Sequence, residues 1–252
     1  MPVWQEKVKR ELIRAGFINK KNVFFRIRGD GILQIIKMDK TSRDTDPELM
    51  IGLQSMYSEL LEQWLTPAHC IPRYSIMLFS GGQSIHRTIP IIDDEVRFID
   101  VEKSEQCEIL LTAALPRLDN VESQRDLLDI LFEIESISGC IVWNDIQKYA
   151  PFMCVNDYVN ACKVITSILD QHEFAEKTKR QFFSSIGKPY IIPHFALEEN
   201  AKLNTLLNLA RQKDPEAIQN YLIKNYKKNI TLLQKHIPEI GGRFPISLTT
   251  SE

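Results

Sequence analysis

The sequence predicts an α+β fold: a small, mainly antiparallel sheet of four or so strands with flanking helices on one side, followed by an all-helical C-terminal half. Three observations predict it. Two runs rich in β-branched and aromatic residues, Asn22–Arg28 and Ile32–Met38, are joined by Gly29-Asp30-Gly31, where glycine takes positive φ without steric cost. Further runs with a period of two follow as far as Phe79. From Ser104 the apolar spacing becomes helical and largely stays so.

Each element has its own local warrant. Trp4, Val8, Leu12 and Ala15 lie on one face of an opening helix, and Gly16 is placed to end it as the residue just past its last turn. In the first hairpin strand Val23, Phe25 and Ile27 oppose Phe24, Arg26 and Arg28; in the second, Ile32, Gln34, Ile36 and Met38 oppose Leu33, Ile35 and Lys37. Arg26, Arg28 and Lys37 are expected to share one face. Asp39–Pro47 is a polar loop, Leu49–Met56 a third strand running into a short helix over Tyr57–Leu65, and Arg73–Phe79 a fourth strand ended by Gly81-Gly82. Ile89–Ile92 reads as a short strand. Helices are expected over Ser104–Ala114, from the Ser123-x-x-Asp126 start signal, and over Asn156–Gln171, Ala175–Ile186, Ala196–Gln212 and Asp214–His236. The last is the best signalled. Asp214 caps it, Pro215 follows at its first position, and Ile218, Leu222, Tyr226, Ile230 and Leu233 form its buried stripe. The expected division is an α+β domain over residues 1–138, a helical region packed on it over 139–240, and a flexible tail over 241–252.

Charge is unevenly spread over the 252 residues. The whole chain is nearly neutral at −2, yet residues 1–43 carry 11 Lys/Arg against 4 Asp/Glu, and residues 93–135 carry 4 against 13. The simplest account is that the two segments offset each other. The 5 cysteines (Cys70, Cys107, Cys140, Cys154, Cys162) are scattered and odd in number, and the chain opens on a charged amphipathic helix, with no leader pattern. No apolar run approaches the roughly 18 residues of a membrane span. These features point to a cytoplasmic protein with reduced thiols and no membrane association.

The segment AGFINKKNVFFRI at Ala15–Ile27 is similar to a GF-x-(K/R)-K-G-x-x-F-(Y/F)-R pattern, with Asn22 where the pattern has glycine. Together with the Gly81-Gly82 loop and LPRL at Leu115–Leu118, it makes roughly residues 5–135 resemble an uncharacterised bacterial domain family of unknown function. That resemblance implies an α+β fold and a bacterial cytoplasm, and it assigns no reaction and no catalytic residue.

Reactive constellations are sparse. Neither C-x-x-C nor H-x-x-x-H occurs, so no metal or cofactor is expected. A possible pocket would gather His69, Cys70, Ser84, His86 and Arg87, with Cys70 or Ser84 as nucleophile and His69 or His86 as base. However, GGQSIHR at Gly81–Arg87 matches neither G-x-S-x-G nor a phosphate-binding loop. Asp93-Asp94-Glu95 reads as a solvated turn. Arg26, Arg28 and Lys37 are the candidate binding residues, either as a solvated face or as a receiver of an anionic partner. Nucleic acid is disfavoured, because Phe25 and Arg26 point to opposite faces of one strand and cannot stack and pair together. The expected function is a non-catalytic protein-interaction module with a protein partner, immunity-like in binding and neutralising it; oligomeric state is not specified. The alternatives are a hydrolase or nucleotide-handling enzyme at Gly81–Arg87, and nucleic-acid binding through the basic hairpin.

Overall fold

The structure, a computed structural model, describes residues 3–38, 49–58, 74–75, 86–88, 98–100, 107–138 and 142–242. Helix α1, Val3–Arg14, buries Val8 and Leu12 completely. Gly16, at φ +87°, turns the chain so that the Gly16 and Phe17 amides donate to the Ile13 and Leu12 carbonyls, capping the orphaned end of the helix. Phe17 then folds into the core. Five antiparallel strands follow in spatial order: β1 (Ile18–Lys20), β2 (Val23–Arg28), β3 (Ile32–Met38), β4 (Leu49–Ser55) and the two-residue β5 (Tyr74–Ser75). Strands β6 (His86–Thr88) and β7 (Phe98–Asp100) pair separately.

The register of the hairpin corrects one expectation. Arg28 pairs with Ile32 across a three-residue loop, so even-numbered residues face even-numbered ones and Arg26 pairs with Gln34. Lys37 pairs with Val23 and therefore lies on the face opposite Arg26 and Arg28. The sheet is also covered on both faces, not one. On one side Phe24, Ile32, Ile36, Ile51 and Leu53 pack with α1 and with Leu110, Leu118, Leu127 and Leu131. On the other, Val23, Phe25, Ile27, Leu33 and Ile35 pack with Tyr226, Leu233, Ile237 and Ile240. Two covered faces explain why both alternating sets in β2 and β3 are apolar.

The helices continue with a π-helical turn at Leu110–Ala114, α2 (Leu115–Asp119), α3 (Gln124–Ser138), α4 (Val142–Cys154), α5 (Tyr158–Ser185), α6 (His194–Gln212) and α7 (Pro215–His236), closed by a 3-10 turn at Pro238–Gly242. Ser123 caps α3 as its spacing predicts: its hydroxyl exchanges hydrogen bonds with the Asp126 carboxylate and amide. Asp214 caps α7 by accepting from the Glu216 and Ala217 amides. A third core joins Leu128 of α3 to Phe152, Met153, Ile165, Leu206 and Leu222 of the later helices. Asn156–Gln171 and Ala175–Ile186, expected as two helices, form one helix of 28 residues, α5. Helix α4 carries Pro151 inside its last turn, which hid it from a reading of the sequence. Tyr57 and Ser58 lie in a turn, and the rest of the helix expected to Leu65, most of the fourth strand, Ile89–Ile92 and the tail beyond Gly242 lie outside the described residues.

Candidate functional site

Of the three basic residues of the hairpin, Arg26 and Lys37 are buried and Arg28 is half-buried. Arg26 is only 3% exposed. Its Nε donates to Gln34 Oε1 at 2.8 Å and its Nη1 to the Ala15 carbonyl at 2.8 Å, while the guanidinium stacks 4.3 Å over Phe17. Its Nη2 forms an ion pair with Asp119 Oδ1 at 2.6 Å. Burial lowers the Arg26 pKa against the pull of Asp119, but an arginine so placed keeps its charge. Gln34 passes the network on, donating to the Leu118 carbonyl at 2.7 Å. Arg28 binds the Asp119 carbonyl at 2.7 Å and Glu122 at 2.8 Å. Lys37 is 4% exposed on the other face. The basic and acidic segments therefore meet within the chain, through Arg26, Arg28, Asp119 and Glu122.

The turn of the same hairpin is clamped between the two halves of the protein. The Asp30 amide donates to the Glu122 carbonyl at 2.7 Å, and the Gln124 side chain donates to the Asp30 carbonyl. Tyr57 donates to Asp30 Oδ1 at 2.8 Å and leans on Tyr226 with ring centroids 5.3 Å apart. Asp30 is exposed as a residue, yet its carboxylate turns in; burial raises its pKa and the Tyr57 bond offsets part of the rise. Burial, chiefly, also pushes the Tyr226 phenol up to about 12 and raises Tyr57 and Cys154. Neutral tyrosines around a turned-in carboxyl make a structural seam. Beside it, Asn229 donates to the Met56 carbonyl at 2.8 Å and to the Ser58 carbonyl, and Asn225 to the Tyr57 carbonyl at 3.2 Å.

His69, Cys70 and Ser84 lie outside the described residues, as do Asp93-Asp94-Glu95. His86 and Arg87 sit on β6, opposite Asp100 and Ile99 of β7. Among the described residues no group of three or more His, Cys, Asp and Glu side chains is placed to hold a metal ion. Cys107, Cys154 and Cys162 are free thiols; burial pushes Cys107 up to about 11, which keeps it unreactive at neutral pH.

The surface feature that does stand out is an arm. Ala161, Ile165 and Ile168 anchor the first half of α5, and Leu203, Leu206, Leu207 and Ala210 anchor the second half of α6. Between them, from about residue 173 to 202, nearly every residue is exposed or half-buried. Gly187, at φ +67°, ends α5, and the Phe183 and Tyr190 rings stack 5.2 Å apart to brace the bend. Along this arm Phe174 (72%), Phe182 (60%) and Ile191 (83%) stand open to solvent, and Ile186 and Leu197 are exposed as well. At its base one face of α5 carries a shallow, open depression, lined among the described residues by Cys162, Lys163, Thr166, Ser167, Asp170, Gln171 and Phe174. Residues 177–197 carry 4 Lys/Arg and no Asp/Glu. That composition was visible in the sequence; the exposure of its Phe and Ile residues was not.

Comparisons with family models, with curated proteins and with solved structures return no match to this chain.

Proposed function

We propose that the chain is a non-catalytic protein-interaction module of a bacterial cytoplasm, and that its docking element is the α5–α6 arm. The carrying observation is the set of large apolar side chains the arm leaves in water. Single exposed apolar residues are ordinary, but five on one projecting hairpin are a surface that a partner covers. The arginines of β2 support the same reading by elimination, since Arg26 is buried and both side chains are engaged with groups of the chain itself.

The test is photo-crosslinking in the native cell. A benzophenone amino acid replaces Phe182 in one variant and Arg10, on the exposed side of α1, in another. A discrete protein adduct from position 182 that is absent from position 10 is the expected result. No adduct at 182, or the same adducts at both, contradicts the proposal.

A further inference from the structure

We infer that one exposed face of α5 is a self-association surface, on which a second copy of the chain lays its own α5 antiparallel about a two-fold axis level with Ala175. This goes beyond the protein partner proposed for the arm and does not depend on it. The face runs past Phe174 and leaves Phe182, about 80° further round the helix, to that partner.

Spacing carries the geometry. Thr166, Asp170, Glu173, Lys177, Arg180 and Ser184 follow one another on one continuous helix at intervals of four, three, four, three and four residues. Steps of three and four keep side chains on a single face, the seam along which helices pair. That face is open: Thr166 is half-buried and the other five are exposed. The shallow depression beside Cys162 lies on it, bordered by Thr166, Asp170 and Phe174. From Asp170 to Arg180 the row spans about 15 Å at 1.5 Å per residue.

Charge names the occupant. The row reads acid, acid, base, base, with a small hydroxyl residue at each end. Asp170, Glu173 and Lys177 make no ion pair among the described residues, while Arg180 adjoins Glu176, which also holds Lys179 at 3.2 Å. A uniformly acidic or basic partner matches half of this row and opposes the other half. A match along its whole length needs the reverse order, and the chain itself supplies that when the helix runs the other way. Turned about Ala175, Asp170 meets Arg180, Glu173 meets Lys177 and Thr166 meets Ser184, and each contact occurs twice, as a two-fold interface requires. Phe174, 72% exposed, lies beside the row one residue from the axis, so its ring meets its own counterpart and leaves water. Exposed ion pairs contribute little each, and one helix face is smaller than a standard interface. The association is therefore weak and salt-sensitive.

The experiment is sedimentation equilibrium of the full chain from about 1 μM to 1 mM, at low and high salt. The unaltered chain is expected to pass from monomer to dimer within that range, and less readily at high salt. Asp170→Lys/Glu173→Lys makes the row wholly cationic, and Lys177→Glu/Arg180→Glu makes it wholly anionic. Each should weaken self-association at least about tenfold, whereas an equimolar mixture of the two should associate at least as tightly as wild type. The chain with all four substitutions restores a self-matching order and should dimerise as wild type does. Phe174→Ser should weaken the dimer and leave its salt dependence in place. All these positions are exposed, and urea unfolding confirms the fold of each variant before mixing. A wild type that stays monomeric throughout overturns the inference. A dimer that survives both charge reversals overturns it too, since the contact then lies elsewhere on the protein. So does failure of the two folded, reversed chains to associate with each other. Adducts from position 182 are read separately, so this inference and the protein partner of the arm stand or fall apart.

Discussion

Arg26 of β2 and Asp119 at the end of α2 stand 2.6 Å apart, and that contact fastens the basic start of the chain to its acidic middle. The pair is asymmetric: the arginine side chain is 4% exposed and the carboxylate 44%. Removing the arginine therefore strands more than one partner. In Arg26→Met, Gln34 and the Ala15 carbonyl lose their donor and Phe17 loses the stacked cation. The expected cost is about 2–4 kcal/mol in urea unfolding, with little salt dependence. Glu122→Gln, at the exposed end of the Arg28 pair, should cost under about 1 kcal/mol and be salt-sensitive. Equal, small effects for both would mean that Arg26 is solvated.

Two glycines with positive φ should respond very differently to alanine. At Gly29 an added Cβ would stand 1.9 Å from the Glu122 carbonyl oxygen, so the turn must move away from the segment that holds it. Gly29→Ala should cost more than about 3 kcal/mol, combining a clash with a left-handed backbone. Gly16 has nothing within 4 Å of that position. Gly16→Ala should cost only the backbone term, about 1–2 kcal/mol. Thermal unfolding of the two variants side by side checks the contrast, and a Gly16→Ala cost as large as that of Gly29→Ala would contradict it.

Leu222 lies in the core that α7 shares with α4, α5 and α6, at 7% exposure. Leu222→Ala should destabilise by roughly 2–5 kcal/mol, the cost of the lost burial plus a residual cavity. A loss below about 0.5 kcal/mol in urea would show that α7 is not seated there.

Asp126 carries a pH signature. Burial works to raise its carboxyl, but the Ser123 hydroxyl and the Ser123 and Glu122 amides outweigh it and hold the pKa below the usual range. A depressed pKa contributes stability above the unfolded value that is lost as pH falls through the folded one. Asp126→Asn should thus be destabilising at pH ~7 and converge on the wild type as the carboxyl protonates, near and below the ordinary carboxylate pKa of about 3.9. Unfolding midpoints measured across that acid range test it; a difference that stays constant would assign the cap to geometry alone.

What the sequence made legible was local. The stop at Gly16, the hairpin turn and the caps at Ser123 and Asp214 each use residues whose conformational preference is written within four positions of themselves. The meeting of the basic and acidic segments was also foreseeable, as a matter of net charge. Polar residues inside the protein were not. Arg26, Gln34, Asn225 and Asn229 look like solvent-facing positions until partners distant in sequence, at Ala15, Leu118, Met56 and Tyr57, satisfy them. The face of Lys37 was misjudged because parity across the turn depends on pairing. Helix α5 was divided because its apolar stripe stops at Ile168, and a helix that leaves the body needs no stripe. The arm was missed for that reason, although its run of cations without acids was in plain view.

If the arm serves a partner, its exposed apolar residues are surplus to the fold. The unfolding free energy of Phe182→Ser/Ile186→Ser measures this most directly. If these side chains already stand in water, the double variant should stay within about 0.5 kcal/mol of wild type in urea, as exposed substitutions do. A loss of more than about 1.5 kcal/mol would contradict the account, because Phe182 and Ile186 would then belong to the core of the protein and not to a surface awaiting a partner.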